Sequence, residues 1–167
     1  MKRLLMYSLL AVLATACLYN PPRPVADEDF GSEDPGYLVM HLDSIVWSPT
    51  WSVSNGERRP PIEVSYLGNG ILILARRAIA NGIQEVSVFV EEPILVGEEI
   101  LPPFDEASIT FRNTANDCRY LSAQDGFIRI TGFDRVAQSI RGEFQIEYST
   151  EACGYTSLTN GNFSLRY

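Results

Sequence analysis

The side chains able to do chemistry are few and widely spaced. His41 is the single histidine and Lys2 the single lysine. The three cysteines are Cys17, Cys118 and Cys153. Acid pairs stand at Glu91-Glu92, Glu98-Glu99 and Asp105-Glu106. Two tryptophans, Trp47 and Trp51, bracket Ser48-Pro49-Thr50. A Ser-His-Asp triad would have to use His41, which lies between Met40 and Leu42 in an extended run. It reads as an outward strand residue or a satisfied core group. Nucleophile elbows, phosphate loops and zincin helices are missing from the sequence. A glycosidase needs two carboxylates facing each other across about 5–9 Å. Neighbours on a strand point to opposite faces, so the acid pairs read as solvated loop charges beside Pro93, Pro102 and Pro103. They lack the alternating aspartate spacing of a calcium loop. Two cysteines and a distant histidine are poor material for tetrahedral zinc. The chain thus reads as non-enzymatic, with no metal and no cofactor.

The aromatics fit binding better than catalysis. Flat rings on loops suit stacking with sugars or other planar ligands. Trp51, Trp47 and Tyr37 are the candidate ligand contacts, with Tyr66 expected nearby. Trp47 has a competing reading as the end of the first strand, packed in the core. Arg58-Arg59 and Arg76-Arg77 are small basic spots in an acidic chain, either partner contacts or plain surface.

Cys17 poses a different question, because one cysteine of three has no partner within the chain. Lys2 and Arg3 precede an apolar run from Leu4 to Leu13, then Ala14-Thr15-Ala16. That is the layout of a secretory signal peptide. The run is shorter than the about 20 residues a spanning helix needs. The ending Leu13-Ala14-Thr15-Ala16-Cys17 resembles a bacterial lipobox, with Leu13 one place earlier than the commonest leucine. The resemblance implies cleavage before Cys17 and diacylglycerol on its thiol. One acyl chain holds only marginally, and two or three give a stable anchor. The expected organisation is a leader over 1–16, a lipidated Cys17 with a disordered acidic, proline-rich tether over 17–36, and one β-domain over 37–167.

With Cys17 lipidated, Cys118 and Cys153 remain. Export places them in an oxidising compartment, where a pair is expected to bridge. The net charge is −8, and it falls further when Lys2 and Arg3 leave. Such a chain does not read as a binder of nucleic acid or anionic lipid. The expected partners are the membrane, through the N-terminal lipid, and a protein or a glycan.

From Tyr37 onward, short β-branched and aromatic runs alternate with turn residues. Expected strands are 37–42, 62–66, 71–76, 85–90, 107–112, 119–122, 127–133, 139–149 and 162–167. Turns are expected at Ala80-Asn81-Gly82, Asp125-Gly126 and Asn160-Gly161. Ile140, Gly142, Phe144, Ile146 and Tyr148 alternate with Arg141, Glu143, Gln145 and Glu147, which is period two. Gly142 sits mid-strand, where a missing side chain marks a bulge or a close neighbour. The fold class is all-β, an antiparallel β-sandwich or flattened barrel of about eight to ten strands.

The order of motifs in the last third is also informative. Gly126–Asp134 reads GFIRITGFD, Ile140–Ile146 reads IRGEFQI and Leu158–Phe163 reads LTNGNF. The series resembles the C-terminal half of a family of uncharacterised Bacteroidota lipoproteins (the DUF6252-type β-domain). There it runs G-x-I-x-I-T-x-x-D, I-S-G-T-F-x-F and I-T-N-G-x-F. Leu42–Trp47, LDSIVW, is similar to the family's x-D-G-x-x-W element, with Ser44 where glycine is usual. The resemblance implies a β-rich lipoprotein fold and supplies no catalytic residues. The leading expectation is an outer-membrane or surface lipoprotein that serves as a non-enzymatic binding or accessory module. A lipocalin-like carrier of a small apolar ligand and a glycan-binding domain are the alternatives.

Overall fold

The computed structural model describes residues 36–54, 56–103 and 106–167. The leader, Cys17, the acidic segment up to residue 35 and Asp105 lie outside the described residues. Gly36, expected in the tether, opens the first strand.

The described residues form thirteen strands and no helix. In chain order they are β1 (Gly36–Leu42), β2 (Ile45–Trp47), β3 (Ser52–Ser54), β4 (Glu57–Arg59), β5 (Ile62–Tyr66), β6 (Gly70–Ile79) and β7 (Gly82–Glu91). There follow β8 (Glu99–Ile100), β9 (Ala107–Asn113), β10 (Cys118–Tyr120), β11 (Asp125–Asp134), β12 (Ser139–Thr150) and β13 (Gly154–Arg166). The count exceeds the expected eight to ten because β2, β3, β4 and β8 have two or three residues each. Such strands exist through pairing alone and carry no periodicity to read.

Two antiparallel sheets hold the core. One has six strands in the order β2-β1-β13-β12-β11-β8, the other five in the order β10-β9-β7-β6-β5. A third pairing, β3 with β4, is a separate hairpin. The sheets do not close into a barrel and make a sandwich. Alternation decides which residues meet. Ile140, Phe144, Ile146 and Tyr148 of β12 are buried with Leu158, Phe163 and Leu165 of β13. The five-stranded sheet contributes Ile71, Ile73, Val86, Val88, Ile109 and Phe111 to the same cluster. Fully burying one such aliphatic or aromatic side chain contributes about 1.5–3 kcal/mol.

Polar and covalent ties cross between the sheets, among them the following. The Tyr148 hydroxyl on β12 donates to the Ile109 carbonyl of β9 at 2.9 Å. Burial pushes that phenol well above its usual range. Trp47 Nε1 on β2 donates to Gln84 Oε1 on β7 at 2.9 Å. Cys118 at the start of β10 is disulfide-bonded to Cys153 in the turn after β12, with Cα atoms 5.6 Å apart.

Two expected turns are different in the structure. Asn160-Gly161 does not end a strand; β13 runs through it, and the pairing with β12 shifts there. Asn160 has φ +52°, so the pair makes a bulge that turns an expected six-residue strand into one of thirteen. Asp125-Gly126 opens β11 and does not precede it.

Candidate functional site

The outer face of the five-stranded sheet carries a charge ladder set by strand register. Arg119 on β10 stands opposite Arg112 on β9. Arg112 stands opposite Glu85 on β7, and Glu85 opposite Arg76 on β6. All four project away from the core, because Val86, Ala75 and Phe111 beside them point inward. Arg76 Nε lies 2.7 Å from Glu85, and Arg76 Nη1 lies 2.9 Å from Glu63 on β5. Burial works against the Arg76 charge, but its bonds to Glu85 and Glu63 outweigh that and hold it above its ordinary value.

A loop and a hairpin build a wall beside this ladder. Beyond the start of β5, Thr50 takes over the edge of β6. Its N–H donates to the Arg76 carbonyl at 2.8 Å, and its Oγ1 accepts from Ala78 N–H at 2.9 Å. This fixes the residue before Trp51. Trp51 is 43 % exposed and leads into β3. The Arg58 guanidinium stands 4.3 Å from the centre of its ring, a cation–π contact of about 0.5–1 kcal/mol. Arg59 pairs with Glu57 on the same short strand.

Between wall and ladder runs an open groove of about 850 Å³. Trp51, Ser52, Arg59, Arg76, Glu85, Arg112 and Thr114 line it, with Val53, Ile79 and Ile83 as apolar patches. Ser52 is only 2 % exposed, and its Oγ has no hydrogen-bond partner. The lining can stack a flat ring on Trp51, offer hydrogen bonds from hydroxyls and guanidinium groups, and pair an anion.

The expected aromatic cluster does not form. Trp47 is fully buried and offers no face to a ligand, a correction of its place among the contacts. Its position at the end of β2 turns it under the sheets toward Gln84. Tyr37 is exposed, but it sits on β1 of the other sheet and donates its hydroxyl to Asn162 at 3.0 Å. Tyr66 lies at the far end of β5 and bonds Glu92. Only Trp51 reaches the groove, where it meets the two basic spots, Arg58-Arg59 and Arg76.

His41 is half-buried, its Nδ1 2.9 Å from Asn160 Nδ2 at the β13 bulge. Two of the acid pairs, Glu91-Glu92 and Glu98-Glu99, are not plain solvated charges. Glu92 pairs with Arg135 and accepts the Tyr66 hydroxyl; Glu99 pairs with Arg129 and so fastens β8 to β11. Among the described residues, no group of three or more His, Cys, Asp or Glu is placed to hold a metal ion. Arg112, Glu85 and Ser52 escape a reading of the sequence because nothing in their spacing joins them. Their outward strand positions are legible, but their common location depends on strand order.

The chain matches no family model, no curated protein and no solved structure. The likeness to Bacteroidota lipoproteins rests on the quoted motifs alone.

Proposed function

We propose that this chain is an exported, lipid-anchored binding module that takes a glycan in the groove beside Trp51, without catalysing a reaction. The observation that carries the reading is the convergence of Trp51 with Arg59, Arg76 and Arg112 around one open groove. An exposed indole supplies a stacking face, and the surrounding donors can meet hydroxyls. The non-enzymatic reading is supported by the lining carboxylate Glu85, which is held in an ion pair with Arg76. Glycoside cleavage uses two opposed carboxylates. Phe144, Ile146 and Phe163 fill the space between the sheets, so the outer face is favoured over a carrier's interior.

Gly36 pairs with Leu165, at the end of the sandwich where Tyr66 stacks on Tyr167. The groove reaches Ile79, Gly82 and Thr114, toward the end held by the Cys118–Cys153 bridge. Gly36, the first described residue, thus lies at the end of the sandwich away from the groove.

Two measurements test this reading. Cys17→Ser should move the protein out of the membrane fraction and end acyl labelling; a variant that stays membrane-bound and labelled defeats the anchor. Titration of the protein with a glycan panel should change Trp51 emission, and Trp51→Ala should remove binding. A panel without a single binder defeats the glycan reading.

A further inference from the structure

We infer that the groove selects an acidic oligosaccharide, whose carboxylate or sulfate pairs with Arg112 while a sugar ring rests on Trp51. The inference deepens the glycan reading and rests on it. Its basis is an imbalance in the charge ladder. Arg112 has Glu85 opposite on one side and Arg119 opposite on the other. The Glu85 carboxylate is engaged by Arg76 at 2.7 Å. Arg112 is exposed and forms no ion pair among the described residues. Arg119 comes only within 3.9 Å of Asp117.

Like charges directly opposite on neighbouring strands destabilise a sheet. Here two guanidinium groups face each other in a chain of net charge −8. A bound anion relieves that repulsion and gains a charge-assisted hydrogen bond, bidentate where geometry allows. Ser52 supplies the second, independent observation. Its hydroxyl is buried at the groove wall with no partner, and a ligand oxygen satisfies it.

The class of anion follows from the rest of the lining. Glu85 repels a ligand that carries charge at every unit, such as an acidic peptide. It accepts hydrogen bonds from sugar hydroxyls, as does Thr114. Trp51 needs a ring face. An oligosaccharide with acid groups separated by hydroxyls meets all of these together.

The test titrates the full chain with a galactotriose carrying one galacturonate unit, a monosulfated galactotriose, neutral galactotriose and hexaglutamate, following tryptophan emission and heat. One or both acidic sugars should bind about tenfold tighter than the neutral one, as a charge-assisted bond provides, and which of them does so separates carboxylate from sulfate. Arg112→Gln should erase the preference, bringing the acidic sugars to the affinity of the neutral one in the same variant, with the circular dichroism spectrum unchanged. Arg141→Gln, on the other sheet, should change neither. Equal affinities for neutral and acidic sugars, lost together in Trp51→Ala, overturn acid selection and leave the glycan reading standing. Tightest binding by hexaglutamate overturns the sugar in favour of a peptide. Binding of none of the four overturns both readings.

Discussion

The ring of Phe163 occupies the space that a side chain at Gly142 would fill, directly across from it on the neighbouring strand. The relation is reciprocal, because Phe144 lies over Gly161 on the same pair of strands. The two rings are then neighbours, with centroids 6.5 Å apart. Each glycine makes room for the other strand's phenylalanine, and each ring covers backbone the glycine leaves bare.

Gly142→Ala should therefore destabilise the sandwich by about 1–3 kcal/mol, the usual cost of overpacking. The new Cβ would meet Phe163 Cζ at 2.5 Å and the Arg129 carbonyl oxygen at 2.8 Å. Urea unfolding should show a lower midpoint at unchanged slope. Phe163→Leu in the Gly142→Ala background should recover part of the loss. Simple additivity of the two substitutions would show that the pair is not coupled.

The Cys118–Cys153 bridge joins β10 of one sheet to the β12–β13 turn of the other, across 35 positions of sequence. Chain-entropy arithmetic gives it about 4 kcal/mol. Replacing both cysteines with serine should lower stability by that order. Intact mass of the untreated protein should be two hydrogens below the reduced form. A denaturation midpoint insensitive to reductant would remove the bridge from the stabilising terms.

Ser44 has φ +70° and follows Asp43 at φ +48° in the two-residue turn between β1 and β2. Two positive φ angles define the turn that joins twisted hairpins, and glycine suits its second place. Asp43 stays because its carboxylate accepts from Thr156 Oγ1 and Ser157 N–H. Ser44→Gly should raise stability by up to about 1 kcal/mol, relief of left-handed strain less the entropy glycine adds. A fall in thermal midpoint would show that the serine hydroxyl has a role the turn geometry does not require.

What the sequence makes legible is what depends on neighbours along the chain. The alternation from Ile140 to Tyr148 appears in the structure as β12, with each even position buried. The bridge between Cys118 and Cys153, expected if the chain is exported and Cys17 is used elsewhere, is present in the structure. Long-range register is not legible. Asn160-Gly161 has the composition of a hairpin turn, and only the pairing of β13 with both β1 and β12 makes it a bulge. Trp51, Arg58 and Arg76 each stand out as types. Their meeting requires the β3–β4 hairpin and the Thr50 bonds to β6, which no periodicity announces.

Glu92 sets an acid limit at the opposite end from the bridge. Its bond with Arg135 holds the carboxyl below its usual value; burial opposes this, and the Tyr66 hydroxyl adds to it. Tyr66 in turn stacks on Tyr167, which stacks on Phe133, so Glu92 joins the end of β5 to the turn after β11. A carboxyl depressed in the folded state binds fewer protons there than in the unfolded chain. Its contribution is complete above the unfolded value near 4.5 and is lost as pH falls through the lower folded value. Stability measured by urea from pH 7 down to pH 3 should fall more steeply below pH 4.5 in the native chain than in Glu92→Gln. Glutamine keeps an acceptor for Tyr66 but cannot titrate, so the difference between the two curves isolates this carboxyl. Parallel curves across that range would show that the Arg135 pair does not hold the two sheets together.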